Sequence, residues 1–202
     1  DLIPSILTLS DVMCTGWHAA VSAGVGPGKS VAVVGDGAVG LCGVLAAVQL
    51  GAETVIAMSR HEARQKVARA FGATHVVAER DEAGIAAIRA LTDGIGADCV
   101  LECVGTEEAR LQALGCVRDG GNVGLVGVPH GDLPVNDLFW RNVGIKGGPA
   151  HCRAYLPELL DLVLARTINP GLVFDLQLPL AEVAEAYAAM DERRAIKSLL
   201  RP

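Results

Sequence analysis

A β-branched run, Ser30-Val31-Ala32-Val33-Val34, opens directly into Gly35-Asp36-Gly37-Ala38-Val39-Gly40 and then an apolar stretch that reaches Leu50. Strand, glycine turn and helix in that order begin a βαβ unit and restrict the chain to parallel α/β architectures. Glycines at 35, 37 and 40 permit the tight turn and a close approach of a pyrophosphate to the backbone. The helix start behind them supplies N–H donors at the positive end of its dipole. The motif therefore predicts dinucleotide binding through Gly35, Gly37, Ala38, Val39 and Gly40.

The alternation repeats downstream. Strands are expected at 54–58, 75–78, 97–103, 122–126 and 143–146, with helical stretches such as 61–71 and 107–117 between them. Each strand is an unbroken apolar run, as in a parallel sheet covered by helices on both faces. Six of them predict a doubly wound six-stranded Rossmann sheet in an α/β fold. Before the sheet, residues 1–5 read as irregular and 9–23 as a helix capped by Ser10. After it come a helix near 153–166, a strand near 174–178, a helix at 180–190 and a strand at 196–200. These last thirty residues look like an appendage that packs on something else. The expected organisation is a leading segment 1–28, a dinucleotide-binding domain 29–172 and a C-terminal return segment 173–202.

At 202 residues, with 24 glycines and 51% hydrophobic but only 3% aromatic residues, the chain suits one Ala/Val/Gly-rich α/β domain and not a disordered one. Its formal charge of -6 argues against nucleic-acid or anionic-membrane partners, so any anion site must be local. No apolar run reaches a membrane-spanning length and no signal peptide is present, which makes the cytoplasm the expected location. The six cysteines lack framework spacing and read as free thiols in a reducing compartment. Cys99 and Cys103 fall on one strand face about 13 Å apart, too far for a disulfide or a shared metal.

The end of the second strand decides which dinucleotide is expected. A carboxylate there normally holds the adenosine ribose of NAD. This chain has Ser59-Arg60-His61, with Arg64 one helical turn beyond Arg60. A guanidinium pairs with a 2′-phosphate where a carboxylate would repel it, so NADP is favoured, with NAD the alternative.

The segment Leu9-Ser10-Asp11-Val12-Met13-Cys14-Thr15-Gly16-Trp17-His18 is, by itself, only an amphipathic helix. In order, however, Asp11-x-x-x-Thr15-Gly16, the glycine turn, Gly51-Ala52, Phe71-Gly72-Ala73, Ala97-Asp98 to Gly105, Gly120-Gly121 to Gly127 and Pro179-Leu180 resemble the zinc-dependent medium-chain alcohol dehydrogenases over essentially the whole chain. The chain is most similar to the NADP-dependent secondary alcohol dehydrogenases and related bacterial zinc-binding dehydrogenases.

The resemblance implies that Asp11 is the third protein ligand of a catalytic zinc, that Thr15 packs on the nicotinamide, and that the loops Cys103-Val104-Gly105 and Gly127-Val128-Pro129 line its pocket. It implies hydride transfer between NADP(H) and an alcohol or carbonyl substrate. The family's remaining zinc ligands lie in an N-terminal catalytic domain that is not in this sequence, and the start at Asp1 reads as that of a fragment. Zinc is thus expected only in the full-length enzyme, and this chain alone is expected to be inactive. The alternative is a stand-alone dinucleotide-binding or sensing module. Homo-oligomer formation is expected through the last Rossmann strand, near 143–148. His130 and His151 lack metal spacing, Cys14 and His18 are the neighbours that could assist Asp11, and Asp191-Glu192-Arg193-Arg194 reads as a solvated helix end.

Overall fold

The computed structural model describes residues 1–128 and 132–202. Six strands, β1 (Ser30–Val34), β2 (Thr54–Met58), β3 (His75–Val77), β4 (Ala97–Glu102), β5 (Val117–Leu125) and β6 (Gly144–Gly147), pair in the order β3-β2-β1-β4-β5-β6. All five pairings are parallel. This is the doubly wound Rossmann order, with its switch point between β1 and β4.

Alternation along each strand builds two cores. Val31, Val33, Cys99 and Leu101 point to one face, under α2 (Val12–Ser22), α3 (Ala38–Gln49) and α8 (Cys152–Leu164). Ala32, Val34 and Val100 point to the other, under α5 (Asp81–Ala90) and α6 (Glu107–Cys116). The remaining helices of the sheet domain are α4 (Glu62–Ala70) and α7 (Val135–Arg141). All six cysteines are free, and Cys99 and Cys103 lie on the same face. Burial pushes the thiols of Cys14, Cys42, Cys99, Cys103 and Cys116 upward, which keeps them protonated and poorly nucleophilic.

Several expectations are corrected. Residues 1–5 are not irregular: α1 (Ile3–Thr8) starts there with its proline in the first turn, where a missing N–H is harmless. The expected 9–23 helix starts later, because Ser10 donates its hydroxyl back to the Leu7 carbonyl and Asp11 takes the N-cap position of α2. Strand β5 begins five residues early, at Val117, and its pairing with β4 shifts register between Ala97 and Cys99. The C-terminal segment forms a two-stranded parallel sheet of β7 (Phe174–Pro179) and β8 (Lys197–Arg201), connected by α9 (Val183–Asp191). It packs on this chain itself: Phe174 and Lys197 to Leu200 face Leu7, Ser10, Asp11 and Val12 across a cavity of about 340 Å³.

Asp98 ties three adjacent strands together. It accepts from the Ser30 N–H and hydroxyl at 2.9 Å each and from Arg118 Nε at 2.7 Å. Burial alone would raise its pKa; the Ser30 and Arg118 donors outweigh burial and hold it below its ordinary value. A depressed carboxylate stabilises the fold above the unfolded pKa, and that contribution disappears as pH falls through the folded pKa. Asp98→Ala is therefore expected to cost about 2 kcal/mol near neutral pH, as loss of charged hydrogen bonds does. The gap to the parent should narrow as pH falls below the ordinary carboxylate value of about 3.9. Urea unfolding across that range checks it; a pH-independent gap would contradict the assignment.

Candidate functional site

Every loop that matters here leaves the carboxyl end of a strand. The glycine turn after β1 leads into α3, whose N-cap is Gly37 with no side-chain cap. The first helical bond runs from Leu41 N–H to Gly37 C=O, so the N–H groups of Ala38, Val39 and Gly40 have no intrahelical acceptor. Gly35 has φ +115, and a Cβ there would meet Val104 Cγ2 at 2.8 Å. A Cβ on Gly40 would run into the Gly35 carbonyl, whereas one on Gly37 would meet nothing within 4 Å. The turn is thus closed behind and open in front, a cradle shaped for a phosphate.

That cradle forms one wall of a cleft of about 450 Å³ that brings together Gly35, Gly37, Arg60, Arg64, Cys103 and Val104, six of the residues expected from sequence. The cleft also contains residues whose part the sequence did not disclose: Asp36, Arg80, Thr106, Glu108, Gln112 and Arg193. Arg80 Nε and Gln112 Nε2 are buried donors with no acceptor among the described residues. Open space at Gly37 and unsatisfied donors opposite it both fit a polyanionic dinucleotide.

Ser59 and Arg64 are placed differently from their expected role. Ser59 is 1% exposed; its hydroxyl donates to Asp36 Oδ2 at 2.8 Å, and Arg64 Nη1 donates to Asp36 Oδ1 at 2.9 Å. Burial would raise the Asp36 pKa, but these two donors and the charge of Arg64 hold it below the usual carboxylate value. Arg64 is thereby spent on Asp36, and Arg60 is the exposed cation at the end of β2. Residues 191–194 are an exposed helix end, as expected, and Arg193 in addition lines the cleft. Arg194 is paired with Glu185 and Glu192.

Glu102 is the residue that sequence reasoning missed. It is fully buried, and its Oε1 accepts from the N–H groups of Val104 and Gly105 at 2.8 Å each. Its backbone carbonyl accepts from Val126 and Gly127 N–H, so one residue shapes both loops flanking the switch point. Gly105 and Gly127 pack backbone to backbone there, leaving Val104 and Val128 exposed. An acid ending an otherwise apolar strand was the available signal. Pro129 and His130 lie outside the described residues.

Asp11 and Thr15 line a different region. Thr15 donates its hydroxyl to Asp11 Oδ1 at 3.0 Å, and Gly16 behind it presses α2 onto the backbone of α3. The neighbours that could have assisted Asp11 turn away. The Cys14 thiol donates to the Leu9 carbonyl, while His18 Nδ1 pairs with the Tyr155 hydroxyl at 2.8 Å and stacks edge-on with His151. Among the described residues no three His, Cys, Asp or Glu side chains converge to hold a metal. A catalytic zinc takes three protein ligands, so the residues present do not fit one.

Residues 38–165 match the zinc-binding dehydrogenase family. The chain belongs to that family. Its relatives include a probable zinc-binding alcohol dehydrogenase of Mycobacterium tuberculosis, 36% identical over 97% of this chain and 51% of that protein. Geraniol dehydrogenase of Castellaniella defragrans is 34% identical over 92% of this chain and 52% of its own length. Among solved structures, an alcohol dehydrogenase from Thermus superposes with a TM-score of 0.91 at 30% identity, covering 98% of this chain and 58% of that one. The chain spans about half the length of the curated relatives it matches. The part of those relatives that it matches is the Rossmann-type domain, and no helix among the described residues is long and apolar enough to cross a membrane.

Proposed function

We propose that this chain is the coenzyme half of an NADP-preferring, zinc-type alcohol dehydrogenase that interconverts an alcohol and its carbonyl compound. The observation that carries the coenzyme preference is the end of β2. Ser59 and Arg60 stand where an acid would bind the ribose, and the nearest carboxylate, Asp36, is already held by Ser59 and Arg64. In this reading the N–H groups at Ala38, Val39 and Gly40 bind the pyrophosphate, with Gly35 and Gly37 leaving room for it. Arg60 takes the 2′-phosphate, while Ser59 and Arg64 act indirectly, by neutralising Asp36. Thr15, Cys103, Val104, Gly127 and Val128 border the nicotinamide.

Asp11 is a zinc ligand only together with partners from outside these 202 residues, and no step is assigned to a metal in this chain. The stand-alone module is the weaker reading, since the relatives matched along nearly the whole chain carry dehydrogenase names. Edge strand β6, preceded by the exposed Phe139 and Trp140, supports pairing with a second copy of the chain, and six free thiols support a reducing, cytoplasmic location.

Fluorescence titration of the chain with NADPH and NADH tests the preference. NADPH should bind at least about tenfold more tightly, since a charged hydrogen bond contributes about 1.5 to 3 kcal/mol, and Arg60→Ala should erase most of the difference. Equal affinities in the parent would sink the proposal.

A further inference from the structure

The coenzyme cleft contains an excess of guanidinium groups. Arg60, Arg64, Arg80 and Arg193 line it together with Asp36, Asp81 and Glu108. Arg64 pairs with Asp36 at 2.9 Å, and Asp36 also attracts Arg80, so four arginines share three carboxylates. Glu108 is already engaged by the Thr106 hydroxyl and its own N–H at the start of α6. Among the described residues, Arg60, Arg80 and Arg193 take part in no ion pair. Arg60, Arg80 and Arg193 line one cleft; burial disfavours the Arg80 charge, Asp36 and Asp81 favour it, and Arg60 and Arg193 repel it. The Arg80 Nε is buried and lacks an acceptor among the described residues. In a chain of net charge -6, a local cluster of cations with an open donor is built for a compact anion.

Topology says which anion. The sheet order β3-β2-β1 sets the carboxyl ends of β2 and β3 side by side, so Arg60 and Arg80 flank the cleft beyond the glycine turn of β1. The pyrophosphate belongs to that turn, and the adenosine ribose extends from it toward β2. Arg193 comes from the other side, in the turn after α9. Its φ is +60, a left-handed conformation in which glycine is the comfortable residue and arginine is strained. The same conformation ends α7 at Asn142 and α8 at Arg166; Arg193 differs from them in lining the cleft.

We propose that Arg80 and Arg193 complete, with Arg60, a three-arginine clamp on the ribose 2′-phosphate, so that the C-terminal return segment helps to select NADPH over NADH. This rests on the NADPH preference proposed above and adds two residues to it. Arginine suits the task because its planar fork pairs bidentately with phosphate and stays charged at any working pH.

Calorimetric titration of the 202-residue chain with adenosine 2′,5′-bisphosphate and with AMP separates the two claims. Arg80→Met is expected to weaken the bisphosphate at least about tenfold and Arg193→Gly at least about fivefold, with AMP changed less than about twofold. Arg80→Lys, which keeps the charge without the fork, should fall between parent and Arg80→Met. Arg193→Gly also relieves the left-handed strain, so its melting temperature should stay level or rise while bisphosphate affinity falls, which a merely structural role would not produce. A parent that binds the two probes equally overturns the NADPH preference and the clamp with it. A parent preference that Arg60→Ala erases, but that survives Arg80→Met or Arg80→Lys and Arg193→Gly, overturns the clamp alone. Equal losses for AMP and bisphosphate would overturn it too, by placing these arginines on the 5′-phosphate.

Discussion

Gly37→Val is expected to weaken NADPH and NADH alike by at least about 100-fold, or about 2.8 kcal/mol, while the fold survives. Gly37 has φ -75 and ψ -179, extended backbone that any residue adopts, and a Cβ there touches nothing within 4 Å. Nothing in the protein resists the substitution. The space that the valine methyls would enter lies in front of the N–H groups of Ala38, Val39 and Gly40, where the pyrophosphate must come within hydrogen-bond distance. Because the pyrophosphate is common to both coenzymes, both should lose equally, unlike the selective loss expected for Arg60→Ala. Titration beside a circular-dichroism spectrum decides it. Retained affinity with a native spectrum would show that the turn does not hold the phosphates.

Gly16→Val should act in the opposite way, through the fold. A Cβ at Gly16 would lie 2.5 Å from Gly43 N, 2.7 Å from Cys42 C and 2.9 Å from Val39 O, all backbone atoms of α3. Backbone cannot swing aside as a flexible side chain can, so α2 would have to withdraw from α3. Overpacking of this kind costs about 1 to 3 kcal/mol and occasionally more; with backbone on one side of the clash we expect about 3 kcal/mol or above. That is a large share of the roughly 5 to 15 kcal/mol available to a domain of this size. The urea midpoint should drop accordingly, with Gly16→Ala lying between parent and valine. An unchanged midpoint would mean that the two helices are less tightly seated than the structure has them. The Thr15-Gly16 pair thus has a structural explanation for its second member: α2 and α3 meet through their main chains.

The contrast between these two glycines shows where sequence and structure part. Gly37 was legible as the open glycine of a strand–turn–helix unit because its meaning is local: strand before, helix after, glycines at set offsets. Gly16 was legible only as part of a resemblance, since its partner is 27 residues away in sequence and pairs with it only once both helices sit on the sheet. The same holds for α1, where Ser5 hydrogen-bonds Asn169 and Gly171, residues more than 160 positions distant. A short helix starting at a proline has little local propensity, and its tertiary partners do the rest. Strand β5 began early for a similar reason, because Val117 pairs with Ala97 across a register shift, and the run through Gly120 and Gly121, of poor strand propensity, lies in that shift before pairing resumes at Asn122.

The amino-acid sequence by itself determined the six parallel strands, the glycine turn and the cation at the end of β2. Hydrophobic periodicity and glycine punctuation act on neighbours in the chain, so they can be read without knowing the fold. The assignment of charges was decided only in three dimensions. Which arginine Asp36 captures, which ones stay open, and that Arg193 arrives from the far end of the chain all depend on which strand ends lie together. Coulombic and hydrogen-bond energies fall with distance in space, and sequence separation says nothing about that distance until the sheet order is set. Arg64 and Arg193 show the consequence: one sits at the expected place and is already neutralised, while the other belongs to an exposed helix end and also lines the cleft beside the glycine turn.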